Sequence, residues 1–305
     1  MGIPQLNRYL LSKCSHHAIQ KKHLDCFAGK TVVIDASIYL YKYTGNETLI
    51  ENMYTMITIF KFYKITPIFV FDGKPPDEKK DVMKQRYDDK KVASRKYDEL
   101  AAIHATTTDE HERSEMAIEM EKLKRQFLRI RKEDVQNVKT LMDTCGVAYY
   151  DAPGEADVMC ASMVIHRQAW ACVSDDMDMF AYGCTRVMRH FSLLSHTVVF
   201  YNITGILREL AIPMRDFRHI LVMSGTDYGN TQKNSLPNIM YQYDIYKKSD
   251  TTQSFREWTG NEDCENLNHI NQMFMVEPMS LPPKQTQYNP MKMTDFLKPY
   301  GFVFI

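Results

Sequence analysis

The chain has 305 residues, with a hydrophobic content of 44% and a charged content of 25%, which is ordinary for a globular protein able to bury a sizeable core. Its formal net charge of +0 excludes an overall attraction to nucleic acid, so any surface that binds nucleic acid must come from local segregation of charge. Seven cysteines form no CxxC pair, and an odd number without a signal peptide predicts reduced thiols in the nucleus or cytoplasm.

The first part of the chain predicts two buried strands that end in acids. Apolar residues at helical spacing in MGIPQLNRYLLSKC predict a short helix, and the β-branched run KTVVIDAS predicts a strand ending at Asp35. A helix is expected from there to about residue 63, followed by the strand PIFVFDG ending at Asp72. Lys61 and Lys64 interrupt the most apolar window, so no membrane span is expected. Acids at the carboxyl ends of buried strands lie where open α/β sheets bind ligands.

Residues 74–139 form a long, polar, helix-favouring stretch whose charges occur in blocks. Residues 79–96 hold eight Lys or Arg against three Asp, residues 98–121 hold eight acids against one Arg, and residues 122–132 hold six Lys or Arg and no acid. A solvated helical hairpin would explain this pattern. The alternative is a pair of helices whose basic ends contact a phosphate backbone near an acidic site.

Two acidic pairs follow in the next part of the chain. After a strand VAYY, a Pro-Gly turn begins a helix with Glu155 and Asp157 in its first turn, and the strand WACVS precedes Asp176 and Asp178. Residues 197–201 predict another strand, residues 203–222 are expected to be helical, and Asp227 follows in SGTDYGN. From residue 230 onward the chain is polar, with apolar helical islands.

The i, i+2 spacing of both pairs directs two carboxylates toward one side of the backbone. Carboxylate oxygens suit a hard cation such as Mg²⁺, and the absence of His or Cys at zinc spacing makes zinc the poorer interpretation. Acids after a strand can instead serve only as helix caps. Because two pairs flank one apolar run, the metal site is the preferred interpretation.

The contexts of these acids, in order after the opening MGI, are VVIDAS, FVFDGKPP, DAPGEAD, SDDMDMFAYG and SGTDY. They resemble the flap endonuclease / XPG family of structure-specific nucleases, over residues 1 to about 228. The resemblance implies an α/β fold with a mixed, mostly parallel sheet flanked by helices (PIN-like), an inserted helical arch and a helical C-terminal part. It divides one nuclease domain, residues 1–305, into an N-terminal part (1–73), the arch (74–139), an internal catalytic part (140–228) and a divergent duplex-binding and closing part (229–305).

The resemblance further implies that seven acids hold two Mg²⁺ ions, which Mn²⁺ can replace. They are Asp35, Asp72, Glu155, Asp157, Asp176, Asp178 and Asp227. The expected activity is cleavage of branched DNA, at 5′ flaps or 5′ ends near a single-strand/double-strand junction, during replication, repair or recombination. Two ions about 3.5 to 4 Å apart can activate the attacking water and stabilise the leaving oxygen. A ribonuclease or single-strand nuclease with the same site stays open, whereas seven retained acids disfavour a catalytically silent DNA-binding scaffold.

Several further residues match positions that the family uses toward its substrate. Lys79 and Arg86 match the basic pair that holds and polarises the scissile phosphate. Tyr41 matches an aromatic that stacks on a base, although its spacing alone is more often that of a core residue. Gly2 matches a small residue close to the substrate strand. The basic run at 122–132 matches the return helix of the arch. Its residues expected to contact substrate are Arg129 and Lys132.

The last third departs from the family pattern. No glycine lies between Gly229 and Gly260, where relatives have a Gly-x-Gly hairpin that grips duplex DNA, so Lys233, Lys247 and Lys248 are the expected substitutes. The segment MTDFL, residues 293–297, superficially resembles a sliding-clamp box, but Pro290 stands where Gln is expected and a closing core helix is the better match. A monomer is expected, and the Met- and Asn-rich composition is compatible with a large DNA virus and its replication site.

Overall fold

The computed structural model describes residues 2–45, 48–228, 234–260, 264–279 and 287–304. Within them, seven strands form a mixed sheet in the order β1-β7-β6-β5-β2-β3-β4. The five strands from β6 to β4 pair in parallel, whereas β7 pairs antiparallel with β6 and with β1. The predicted α/β class with a mixed, mostly parallel sheet is confirmed. The strands are β1 Ile19–His23, β2 Thr31–Asp35, β3 Thr66–Phe71, β4 Ala148–Asp151, β5 Ala171–Val173, β6 Arg186–Ser192 and β7 Thr197–Asn202.

Helices cover both faces of the sheet and enclose two apolar cores. On one face pack α2 Ala36–Thr44, α3 Leu49–Phe62, α6 Lys132–Cys145 and α14 Pro290–Leu297. On the other face, or joined to its core, are α1 Leu6–Lys13, α7 Ala156–Ile165, α8 Asp178–Tyr182, α9 Ile203–Leu210, α10 Met214–Met223, α11 Leu236–Lys248, α12 Phe255–Trp258 and α13 Cys264–Met273. The central strand β2 is buried beyond its first residue, as expected for a strand covered on both faces. No helix among the described residues has the length and apolar character required to cross a membrane.

Two long helices form a hairpin between β3 and α6. They are α4 Lys80–Thr106 and α5 Glu110–Gln126, and α4 is about 40 Å long at 1.5 Å per residue. Only Ala93 and Leu123 are buried within the pair, because most of its surface faces solvent. The predicted helical arch is therefore present as a hairpin at 80–126, while the domain boundaries at residues 73, 139 and 228 stay predictions.

Three sequence expectations about these elements were wrong. The single helix expected up to residue 63 is two helices, since α2 ends at the C-cap Gly45. The helical segment 203–222 is also divided, because Ala211 adopts a left-handed conformation with φ 53° and Pro213 precedes α10. Strands β1 and β6 were missed because they carry cationic residues, as in IQKKH and RVMRHFS, and β1 is an edge strand.

The MTDFL segment lies in α14, which packs against α6. Met293 and Leu297 are buried in the core, and Phe296 packs against the same core. A clamp-binding segment must offer its apolar side chains to a partner. The burial observed here supports the interpretation of this segment as a closing helix.

We expect Leu297→Ala to lower the free energy of unfolding by about 2 to 5 kcal/mol, because it leaves a cavity where the side chain is fully buried. Met291→Ala, on the same helix but 75% exposed, should change it by less than about 0.5 kcal/mol. Urea unfolding of both variants measures the difference. Equal, small effects would show that α14 does not close the core.

Candidate active site

Six of the seven predicted acids lie where adjacent parallel strands end. Because β5, β2, β3 and β4 are neighbours, their carboxyl ends meet at one edge of the sheet. Asp35 ends β2, Asp72 follows β3, Glu155 and Asp157 begin α7 after β4, and Asp176 and Asp178 follow β5. Asp227, which follows α10, joins them from outside the sheet, where its charge acts on Asp178.

The carboxylates of this acidic cluster repel one another strongly. Burial, with the neighbouring charges of Asp72 and Asp176, raises the pKa of Asp35 to about 7. Burial and the neighbouring acids also raise the pKa of Asp157 and the pKa of Asp178 well above the ordinary range of a carboxyl group. Without a counter-charge, Asp35, Asp157 and Asp178 therefore favour the protonated form.

Some carboxylate oxygens of the cluster accept hydrogen bonds, whereas others are buried without a donor. Asp72 accepts from the Ser37 hydroxyl at 2.5 Å and from the Ala156 amide at 2.7 Å. By contrast, Oδ1 of Asp157 and Oδ1 of Asp178 are buried and accept no hydrogen bond. Buried carboxylate oxygens without donors, among several acids, are suitable ligands for a hard divalent cation. Within the described residues no three acidic, His or Cys side chains already have metal-ligand geometry.

Lys79 and Arg86, both predicted from the sequence, lie against this acidic cluster. The Lys79 ammonium donates to Oε1 of Glu155 at 2.5 Å, and the Arg86 guanidinium donates to Oδ2 of Asp227 at 2.5 Å. Burial alone would lower the pKa of Lys79, but the hydrogen bond and the charge of Glu155 outweigh it and raise the pKa. Both cations therefore neutralise acids at the base of the arch.

Tyr228 is a site residue that sequence reasoning missed. Its hydroxyl donates to Oε2 of Glu155 and lies 2.8 Å from the hydroxyl of Tyr182, while the Lys79 ammonium lies 4.6 Å from the centre of its ring. Tyr228 thus holds the Lys79–Glu155 pair from one side. Its position directly after Asp227 in SGTDY was the signal that could have identified it.

Gly2 lies directly against the Asp176 and Asp178 carboxylates. A Cβ atom at this position would come within 2.8 Å of Asp178 Oδ1 and would contact Asp176 Oδ1 still more closely. The residue also has φ +80°, a left-handed conformation that glycine adopts readily. Both features require glycine here, and the N-terminal segment becomes one wall of the site.

The remaining predicted substrate residues are distributed around the foot of the arch. Tyr41 is half exposed, which fits a stacking role better than a core role, and the Lys90 ammonium lies 5.2 Å from its ring centre. Burial and the charges of Arg129 and Arg86 lower the pKa of Lys90, so these cations lie close together. Lys90 was missed, although it stands four residues after Arg86 on the same helix face.

The other predicted cations stay outside this group. Lys132 is exposed at the first residue of α6. Lys247 pairs with Asp244 at 3.0 Å in the last turn of α11, and Lys248 is its exposed neighbour. Lys233 lies outside the described residues.

The fold and the acidic cluster together define a class: an α/β protein with clustered acids at one edge of its sheet and an inserted helical arch. Two family models match the chain, the XPG N-terminal domain over residues 1–93 and the XPG I-region over residues 146–227. All seven predicted acids lie within these two ranges. The chain therefore belongs to the flap endonuclease / XPG family of nucleases.

Individual relatives agree with this assignment. The chain is 28% identical to flap endonuclease 1 of Zea mays over 252 residues, which cover 76% of this chain and 63% of the relative. It is 29% identical to flap endonuclease 1 of Drosophila yakuba over 246 residues, which cover 75% of this chain and 60% of that relative. The matches thus span less than two thirds of these relatives' length.

Solved structures show the same fold at low sequence identity. The catalytic core of Rad2 in complex with a DNA substrate superposes with a TM-score of 0.68 at 18% identity, covering 98% of this chain and 95% of that one. Human GEN1 in complex with Holliday junction DNA gives 0.67 at 16% identity, with 98% and 73% covered. Flap endonuclease-1 of Methanococcus jannaschii gives 0.61 at 22% identity, with 92% and 90% covered.

The pKa of Asp35 predicts a pH-dependent loss of stability in metal-free protein. An Asp in the unfolded chain ionises near pH 3.9, whereas Asp35 in the folded protein ionises near pH 7. The folded state therefore holds the Asp35 proton more tightly than the unfolded chain does. The stability that this proton contributes is lost as pH rises from about 4 to about 7. Asp35→Asn should raise Tm relative to wild type more at pH 8 than at pH 4, measured in EDTA.

Asp88→Asn is the matched control, because Asp88 is exposed on α4. Its effect on Tm should be small and independent of pH. A Tm difference for Asp35→Asn that is the same at both pH values would contradict the proposed repulsion.

Proposed function

We propose that this protein is a metal-dependent, structure-specific 5′ nuclease that hydrolyses phosphodiesters in branched DNA, at 5′ flaps or at 5′ ends. The observation that carries the proposal is the acidic cluster, in which buried carboxylate oxygens without hydrogen-bond donors lie beside two cations. The related proteins are flap endonucleases, and two similar structures contain a DNA substrate or a Holliday junction. Both comparisons support a DNA substrate with a junction.

The site would hold two Mg²⁺ ions, with Mn²⁺ as a substitute. Nucleases of this family depend on metal ions, and the acids present suit oxygen-preferring cations. When bound, such ions supply an activated water nucleophile and stabilise the leaving oxygen. The seven ligands would be Asp35, Asp72, Glu155, Asp157, Asp176, Asp178 and Asp227.

Lys79 and Arg86 would change partners when substrate binds. In the free protein each neutralises an acid, Glu155 or Asp227. Cations that bind the acids would release both side chains, which could then donate to the scissile phosphate from the foot of the arch. Charge that develops on the phosphate would be stabilised by donors already held in place. Tyr228 would keep Lys79 oriented through its ring and its bond to Glu155.

A nucleobase beside the scissile phosphate would stack on Tyr41, whose ring is half exposed. Lys90 and Arg129 lie near it and would hold the neighbouring phosphates. The acidic middle of the arch, at 98–121, lies farther from the acidic cluster along the hairpin and would repel the phosphates of the DNA strand. The substrate strand would therefore be confined to the basic foot.

We expect Asp176→Ala and Asp178→Ala to abolish cleavage of a 5′-flap substrate in Mg²⁺ while the protein stays folded, because each removes a ligand. Asp151→Ala is the control, since Asp151 also ends a strand but is exposed and paired with Lys139. It should cleave at about the wild-type rate. Near wild-type cleavage by either ligand variant would refute the site.

Lys79→Ala and Arg86→Ala should lower the single-turnover rate by about 100-fold and change DNA affinity much less, because they act on charge that develops in the transition state. Lys80→Ala is the control, because Lys80 is exposed and pairs with Asp77. Equal losses in rate and affinity would instead make Lys79 and Arg86 part of the phosphate-binding surface.

A ribonuclease or single-strand nuclease is the second candidate. It is favoured by the start of α11, where Ser235, Leu236 and Pro237 occupy a segment that lacks the Gly-x-Gly hairpin. Wild-type protein with Mg²⁺ and matched flap, nicked, single-stranded DNA and RNA substrates separates the two. Faster cleavage of RNA or unpaired DNA than of the flap would favour the second candidate.

A further inference from the structure

A buried arginine connects the two segments that carry the N-terminal wall and the Asp176–Asp178 turn. Arg189 lies on β6 and is only 6% exposed. Its Nη2 donates to the backbone carbonyl of Asp175 at 2.8 Å, and its Nη1 donates to Oδ1 of Asn7 at 3.2 Å. One side chain thus contacts the loop after β5 and the first turn of α1.

The loop is held from two directions at Asp175, the residue before the first acid of the turn. Besides the Arg189 bond to its carbonyl, its Oδ1 accepts from the His190 amide at 2.6 Å. The strand pairing of β6 and β7 is irregular between Arg189 and Ser192, and His190 has φ 55°. Irregularities of this kind redirect backbone groups beside functional sites. Here the irregularity turns an amide toward the loop.

The N-terminal segment is held at Asn7. Its Oδ1 accepts from Arg189 and also from the Tyr201 hydroxyl at 2.7 Å. Five residues earlier, Gly2 contacts the carboxylates of Asp176 and Asp178. Asp176 and Asp178 therefore lie on one of the two segments that Arg189 joins, and Gly2 lies on the other.

Arg189 has few alternatives to this arrangement. Its Nε is buried without a hydrogen-bond partner among the described residues, so only its two terminal nitrogens are satisfied. A buried guanidinium that lost those bonds would be left uncompensated at high cost in free energy. The geometry is therefore rigid, and it fixes the backbone from which Asp176 and Asp178 project.

We propose that Arg189 and Asn7 form a positioning latch that sets the distance between the N-terminal segment, residues 2–7, and the acidic turn, residues 174–178. Neither Arg189 nor Asn7 is one of the seven predicted ligands, so the latch acts through the backbone that carries Asp176 and Asp178. It rests on the proposed function, because its purpose is to hold two of the seven ligands ready for cations. Loss of an outer partner of a metal site lowers metal affinity by about 10- to 100-fold.

The test uses the full chain and Mn²⁺ as the probe. For Arg189→Met, the Mn²⁺ concentration that half-saturates the protein, followed by electron paramagnetic resonance, should rise about tenfold. Amide hydrogen exchange in residues 174–178 and 2–7 should be faster, and Arg189→Lys should recover part of both effects. Arg186→Met is the control, because Arg186 is on the same strand but donates to the Trp170 carbonyl and stacks on the Trp170 ring. It should change neither quantity.

Asn7→Ala provides a second route if Arg189→Met does not fold. It leaves the bond from Arg189 to Asp175 and should speed exchange in residues 2–7 while raising the half-saturating Mn²⁺ concentration. In a folded double variant with Arg189→Met the two effects should be less than additive. Wild-type Mn²⁺ affinity and exchange rates in Asn7→Ala, or in a folded Arg189→Met, would overturn the latch. A wild-type protein that binds Mn²⁺ but cleaves no nucleic acid would refute the proposed nuclease alone.

Discussion

The repulsion among carboxylates at one edge of the sheet is the constraint on which the rest of this structure depends. Parallel strands that end side by side bring Asp35, Asp72 and the two acidic pairs to one edge of the sheet, where Asp35 and Asp178 are buried. Burial and the charges of Asp72 and Asp176 together raise the pKa of Asp35 to about 7. A protein that concentrates negative charge in this way needs compensating cations, and most of the notable contacts around the site supply them or hold the acids in place.

Two kinds of compensation are visible. Lys79 and Arg86, from the base of the arch, pair with Glu155 and Asp227. Their contacts tie the start of α4 to the sheet. Divalent cations would supply the second kind, through the oxygens of Asp157 and Asp178 that accept no hydrogen bond. In the free protein Glu155 and Asp227 therefore hold the base of the arch, whereas the buried oxygens of Asp157 and Asp178 have no hydrogen-bond donor.

Contacts with the surrounding structure hold the acidic cluster in place. Tyr228 supports Glu155, Gly2 packs against Asp176 and Asp178, and Arg189 holds the loop that precedes them. The arch is different, since only Ala93 and Leu123 are buried in it. A segment with so little buried apolar surface shifts or opens at lower cost than a packed helix. The fold thus combines an acidic cluster held by several contacts with a largely solvent-exposed helical hairpin.

Local patterns in the sequence predicted the sheet class and the strand-ending acids, whereas the full set of seven acids and the basic pair came from the resemblance to a nuclease family. Strand-ending acids such as Asp35 were predictable because a buried apolar run and its final residue are adjacent in the chain. The charge blocks of residues 74–139 predicted helices but left open whether these form a solvated hairpin or contact a phosphate backbone. The strands β1 and β6 were not predictable, because their cationic residues are accommodated only by neighbouring elements.

Only the tertiary structure decided the contacts between distant segments. Tyr228 with Glu155, Lys90 with Tyr41, and Arg189 with Asn7 join residues far apart in the chain, and no local spacing encodes such pairs. The burial that shifts the carboxyl pKa values likewise arises only when strand ends meet. By itself, then, the sequence predicted most of the groups proposed to carry the chemistry, but neither Tyr228 nor Lys90. The fold decided how closely they approach and which cations face them, because distance and burial are properties of packing.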